Sequence, residues 1–119
     1  MLGIAKQLFD AVEANDIEAL QQLYTDDVAV WHNYDDAAQS KAQNLQTLGS
    51  IPDRYDTFTY DEVREQALPD GFLRQHVIVA GRGGKTARVP AIMRVYVDGA
   101  QISRIEEYFD YGQLTRQLT

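Results

Sequence analysis

The sequence predicts an α+β fold: a long, curved, antiparallel or mixed sheet wrapped around helices at its N-terminal end. Helical periodicity fills the first part of the chain and extended runs fill the rest, which is segregated rather than alternating order. The four extended runs after residue 55 are 9 to 13 residues long, beyond the usual five or six. Long antiparallel strands that bury one face curl around what they cover, leaving a cone with a mouth.

Ile4, Ala5, Leu8, Phe9 and Val12 recur at three and four, so Ile4 to Ala14 reads as an amphipathic helix. Asp16 can cap a second short helix from Ile17 to Tyr24, which Thr25-Asp26-Asp27 stops. Val28 to Asn33 is a β-branched and aromatic strand followed by a polar loop from Tyr34 to Gln39. Ser40 opens a third helix with Ala42, Leu45, Leu48 and Ile51 on one side, and Gly49 and Pro52 mark its end. Asp56 to Leu68, Gly71 to Ala80, Ala87 to Val97 and Gln101 to Phe109 form strands joined at Pro69-Asp70-Gly71, Gly81-Arg82-Gly83-Gly84 and Asp98-Gly99. Gly112 to Leu118 suits a final helical turn.

With 119 residues, the chain matches one domain, residues 1–119, large enough for one core and a modest pocket. Eighteen acidic residues against eleven basic ones give a formal net charge of −7, which argues against a nucleic-acid backbone or an anionic membrane as partner. There is no cysteine, so disulfides, thiolate nucleophiles and thiolate metal sites are excluded. His32 and His76 have no metal-ligand spacing; no metal and no cofactor is expected. The start has neither a basic leader with an apolar stretch nor a membrane span, so the cytoplasm is the expected compartment.

Three polar couplets interrupt apolar strands: Trp31-His32-Asn33, Arg74-Gln75-His76 and Glu106-Glu107. Alternate side chains of a strand share a face, so Trp31 with Asn33, and Arg74 with His76, can enter one cavity. If Glu107 shares it, an amide, a guanidinium, an imidazole and a carboxylate meet over apolar walls, the composition of a reactive or recognition pocket. His76 has an ordinary pKa near neutrality and can pair with Glu107 as acid and base, or be a core histidine held for packing. Arg74 can clamp a carboxylate or be an exposed strand arginine. Asn33 can position water or a carbonyl, or simply close its strand. Trp31 is read as an apolar wall of the substrate site. Only one of Glu106 and Glu107 can face inward. His32, of opposite parity to Asn33, is expected to face solvent, a helix or a subunit contact. Gly81-Arg82-Gly83-Gly84-Lys85 joins two strands and opens no helix, so it reads as a hairpin rather than a phosphate loop.

This order and these couplets resemble the nuclear transport factor 2-like, or SnoaL-like, cone-shaped superfamily, of the cystatin-like type, over essentially the whole chain. The motifs are most similar to the limonene-1,2-epoxide hydrolase branch, which carries an aromatic-x-Asn pair, an Arg-x-Asp pair and a last-strand Arg-Asp-Tyr-Phe-Asp run. Here these stand as Trp31-His32-Asn33, Arg74-Gln75-His76 and Glu106-Glu107-Tyr108-Phe109-Asp110. The resemblance implies that Glu107 takes the place of a catalytic aspartate, and it implies a cavity. The second carboxylate of that family is replaced by His76.

Two functions stay open from the sequence. One is a cofactor-free hydrolase or an isomerase or cyclase acting on a small apolar molecule, with His76, Glu107, Arg74 and Asn33 as machinery. The other is a non-catalytic module that binds a small ligand or a protein. A homodimer is expected by analogy, through an outward sheet face carrying Arg94, Tyr96 and the Tyr55 to Tyr60 region, whose Tyr55, Phe58 and Tyr60 are candidates for wall or interface.

Overall fold

The computed structural model describes all residues, Met1–Thr119. Helices α1 (Leu2–Ala14) and α2 (Ile17–Leu23) lead into strand β1 (Tyr24–His32) and a short edge strand β2 (Ala37–Gln39). Helices α3 (Lys41–Gly49) and α4 (Ile51–Arg54) follow, then β3 (Thr57–Leu68), β4 (Gly71–Arg82), β5 (Lys85–Asp98), β6 (Gln101–Phe109) and helix α5 (Tyr111–Leu118). The sheet is six-stranded in the order β2-β1-β6-β5-β4-β3, antiparallel throughout except where β1 runs parallel to β6. The α+β order and the curved sheet around N-terminal helices are as the sequence predicts.

Local chemistry sets the boundaries. Asn15 adopts a left-handed conformation (φ 52°) at the end of α1, as asparagine does more readily than most residues. Asp16 accepts a hydrogen bond from Ala19 N and so starts α2 immediately. Ser40 and Gln43 form a reciprocal capping box at α3. Asp110 accepts from Gly112 N at the start of α5. Gly83 and Gly84 both have positive φ, 59° and 79°, which a two-residue hairpin turn with the natural strand twist demands.

Several boundaries differ from the sequence reading. The single third helix is two, because Pro52 in the first turn of α4 starts a new segment after the Ser50 cap. The polar loop after β1 contains β2, and β1 starts at Tyr24. The C-terminal turn is an eight-residue helix that packs Leu114 and Leu118 into the core against β5.

One core fills the concave side of the sheet. Val28 and Val30 of β1, Phe72, Ile78 and Ala80 of β4, Val89, Ala91, Met93 and Val95 of β5 and Ile102 and Ile105 of β6 meet Ala5, Leu8, Phe9, Val12 and Leu20 of the helices. Burying each large apolar side chain contributes about 1.5–3 kcal/mol. Strand β3 has a bulge between Asp61 and Arg64, with Glu62 at φ 51°. The extra residue reverses parity along β3, so Tyr60 and Glu65 both face the concave side. Tyr55, Phe58 and Tyr60 stack into the interior (ring centroids 5.7 and 5.6 Å), so of wall and interface they take the wall and not the outward face. Phe58 and Tyr60 pair with the buried Ala80 and Ile78, which fixes that side. Arg94 and Tyr96 do point outward, the guanidinium 4.0 Å from the ring centroid. No helix is long and apolar enough to cross a membrane.

Candidate active site

Pairing across the sheet lines up one polar row on the concave face. Glu65 of β3 lies opposite Arg74 of β4, Arg74 opposite Met93 of β5, Met93 opposite Glu107 of β6, and Glu107 beside His32 of β1. Met93 divides that row into two clusters.

On one side His32 Nε2 lies 3.1 Å from Glu107 Oε1, and both side chains keep little exposure, 9% and 15%. They border two adjoining lobes of a cavity, about 70 and 90 Å3, which share His32, Glu107, Thr47, Leu48 and Tyr60. The inner lobe is closed by Leu8, Val30, Met93 and Ile105; the outer lobe by Ile78, Phe109 and Leu114. Aromatic rings frame the pair, with Tyr34 5.0 Å from the His32 ring and Phe109 at 6.4 Å. Beneath it, Tyr24 Oη donates to Asn44 Oδ1 (2.8 Å), and Asn44 Nδ2 donates to Gln39 Oε1 (3.0 Å). Burial, and then the Glu107 charge, push the Tyr24 phenol well up. The same two causes, in the same order, push Tyr34 up to about 12 and Tyr60 well above its ordinary value. These phenols stay protonated; Tyr24 spends its O–H on Asn44, while Tyr34 and Tyr60 border a cavity that holds one carboxylate.

The second cluster is closed. Arg74 Nε donates to His76 Nδ1 (2.7 Å), and Arg74 Nη1 donates to Glu65 Oε2 (3.0 Å). Phe9 lies over the guanidinium at 3.4 Å, and Tyr60 lies 4.5 Å from the His76 ring. Arg74 is 5% exposed and His76 1%. Burial, and then the Arg74 charge, lower the His76 pKa to about 3. Because Nδ1 accepts from an arginine, the His76 proton sits on Nε2, which finds no partner. The expected pairing of His76 with Glu107 is not formed; His32 takes that place, and Arg74 holds Glu65 and His76 instead. Neither Arg74 nor His76 borders the two lobes.

The β1 expectation is reversed. Trp31 and Asn33 lie on the convex side: Trp31 Nε1 donates to Asp36 and its ring packs on Tyr108, while Asn33 Oδ1 accepts from Phe109 N and closes the β1–β6 ladder. His32 faces the cavity. The physical reason was present in the strand, since Val28 and Val30 are its aliphatic positions and have the parity of His32. Glu107 faces inward and Glu106 outward, where Arg104 and Tyr96 engage it. Tyr24 and Asn44 were not singled out by the sequence reading, whereas Tyr60 takes the wall position open to it. Asn44 carried a signal, an amide on the helix side that also bears Leu48, and it is 3% exposed. No grouping of three or more His, Asp or Glu side chains is arranged to hold a metal ion.

Comparison with known proteins extends this picture. A protein described as a polyketide cyclase from Xanthomonas campestris superposes with a TM-score of 0.86 at 18% identity, over 99% of this chain and 96% of that one. A protein of ketosteroid isomerase-like fold from Catenulispora acidiphila, solved with trimethylamine, gives 0.84 at 15% identity over 98% and 93%. An LEH-like epoxide hydrolase from M. tuberculosis gives 0.77 at 14% identity over 97% and 86%. At such identities these likenesses speak to the fold. No curated protein sequence matches the chain. The model of the SnoaL-like domain matches residues 5–105, a stretch that includes His32, Arg74 and His76 and stops just before Glu107. The chain belongs to the SnoaL-like domain family.

Proposed function

We propose that this protein is a cofactor-free enzyme that moves protons on a small, largely apolar carbonyl compound, of the isomerase or cyclase kind, with Glu107 as the base. The observation that carries this reading is the 3.1 Å contact of His32 and Glu107 at the wall of a cavity otherwise lined by apolar and aromatic side chains. A carboxylate so placed keeps little contact with water and can meet a bound C–H directly. Glu107 takes the proton from a carbon next to a carbonyl, and the electron pair moves onto the carbonyl oxygen. The Tyr60 phenol, protonated and bordering both lobes, supplies an O–H to that oxygen. Glu107 then returns the proton at another carbon, or the enolate carbon attacks a second carbonyl and closes a ring, the first carbonyl re-forming and the new alkoxide taking the proton back from Glu107. His32 orients the carboxylate. The polyketide cyclase and ketosteroid isomerase-like neighbours support the same chemistry by analogy of fold.

Epoxide hydrolysis is the less favoured reading, because it needs an acid opposite the base. His76, where that family has its second carboxylate, is neutral and turned away behind Phe9 and Tyr60. The test is hydrogen–deuterium exchange at the carbon next to the carbonyl, followed by NMR for a panel of small cyclic ketones and β-diketones. Glu107→Gln is expected to lower exchange by about 10²- to 10⁴-fold, and His32→Asn less. Exchange that Glu107→Gln leaves intact refutes the assignment. Ligands that stabilise the fold saturably yet never exchange indicate a binding module instead.

A further inference from the structure

Arg54 is the one arginine that borders the two-lobed cavity. It is the last residue of α4 and borders the outer lobe together with Tyr34, Tyr55, Tyr111 and, deeper in, His32 and Glu107. Its head is fixed by the protein: Nε donates to Ser50 Oγ (3.0 Å) and Nη2 to Thr47 O (3.3 Å), and Cζ lies 5.2 Å from the Tyr55 ring centroid. Nη1 takes part in neither bond. Arg74, Arg88, Arg94, Arg104 and Arg116 each pair with a carboxylate of this chain; Arg54, Arg64 and Arg82 have no carboxylate oxygen within 4.0 Å, and of these three Arg64 and Arg82 are exposed while Arg54 alone is half-buried and borders the cavity. In a chain with a net charge of −7, a half-buried and braced cation facing a cavity without a counter-ion is conspicuous.

We infer that the outer lobe takes an ionised organic acid, its carboxylate seated on Arg54 and its apolar body directed toward Glu107. The orientation follows from charge. Glu107 repels an anion at the inner end, and Arg54 attracts one at the mouth with charge-assisted hydrogen bonds. The Tyr55 and Tyr111 rings give the head group a partly apolar surround, which strengthens that attraction relative to open water. Size follows from volume. The outer lobe of about 90 Å3 adjoins the inner lobe of about 70 Å3, so the room is that of a small ligand. The substrate class is therefore a compact acid with one ring or a short unsaturated chain, extending into the inner lobe when longer. This inference names the substrate of the site proposed above and rests on that reading for the direction of the reactive end, but its binding part stands separately.

The test uses phenylacetate and its neutral isostere phenylacetamide, titrated into the whole protein by ¹H–¹⁵N NMR. Wild type is expected to prefer the acid by about tenfold to a hundredfold. Arg54→Met is expected to remove that preference and Arg54→Lys to keep part of it, since lysine supplies the charge without the planar fork. Glu107→Gln should keep or strengthen acid binding while losing exchange. Thermal unfolding of each variant reports whether the fold is intact, and the lysine variant tests the charge if the methionine variant is damaged. Equal binding of acid and amide, absence of phenylacetate binding, or an acid preference that survives Arg54→Met overturns the inference. Neutral ketones that exchange through Glu107 while acids fail to bind would sink the Arg54 assignment and spare the proposed chemistry. Arg54-dependent binding of acids with no exchange on any ketone would do the reverse.

Discussion

The concave face carries two polar clusters, each with one histidine and one glutamate, and their surroundings give them opposite characters. Arg74, His76 and Glu65 are bonded to one another and covered by Phe9 and Tyr60. His32 and Glu107 are bonded to each other and left facing a cavity. The closed cluster has the larger structural stake, because an arginine taken out of water destabilises the fold unless its partners are in place. The open pair has the larger chemical stake, because a carboxylate beside empty apolar space can meet a substrate. Residue type does not separate the two; what covers them does.

That contrast can be broken in order of expected effect. Exchanging Glu107 for glutamine is expected to remove activity, the largest change, while shifting unfolding free energy by less than about 1 kcal/mol, as for a residue placed for function rather than stability. Arg74→Met is expected to destabilise by about 3 kcal/mol in urea unfolding, the lower end for a broken buried pair because Glu65 retains 22% exposure. If the two substitutions cost the same stability, the division into structural and chemical clusters fails.

The pH dependence of stability sharpens the contrast next. His76 is held at about 3 in the folded protein, below the 6.5 of an unperturbed imidazole. The unfolded chain therefore binds the extra proton between those values, so stability falls as the pH is lowered from about 6.5 toward 3. One linked proton contributes about 1.4 kcal/mol per pH unit at most across that window. Urea titrations at several pH values are expected to show this slope in the wild type and its reduction in His76→Gln. An unchanged slope would mean that other groups carry the acid sensitivity.

The smallest effect belongs to the convex side. Trp31→Phe removes only the exposed bond to Asp36 and is expected to cost about 0.5–1 kcal/mol with exchange activity retained. A large activity loss in that variant would restore Trp31 to the substrate site, where the sequence pattern had placed it.

Strands β3 to β6 were legible to within a few residues because their β-branched runs and Gly-containing turns are local signals. The family and the inward turn of Glu107 were legible too, the latter through its motif. His32 was misread because a tryptophan drew the cavity side of β1 toward the wrong parity, although Val28 and Val30 pointed the other way. Asn44 and Tyr24 reach each other from different elements across 20 residues of sequence, a contact no periodicity contains.

By itself the sequence determined the order of the main helices and long strands, where the turns between β3 and β6 fall, and which chemical groups the sheet would carry. Periodicity, caps and turn residues act within a few positions of one another, so they can be read along the chain. Tertiary structure alone decided which histidine meets Glu107. That choice depends on the parallel register of β1 against β6, on the bulge that turns Glu65 toward Arg74, and on Phe9 arriving from a separate helix to close one cluster and leave the other open.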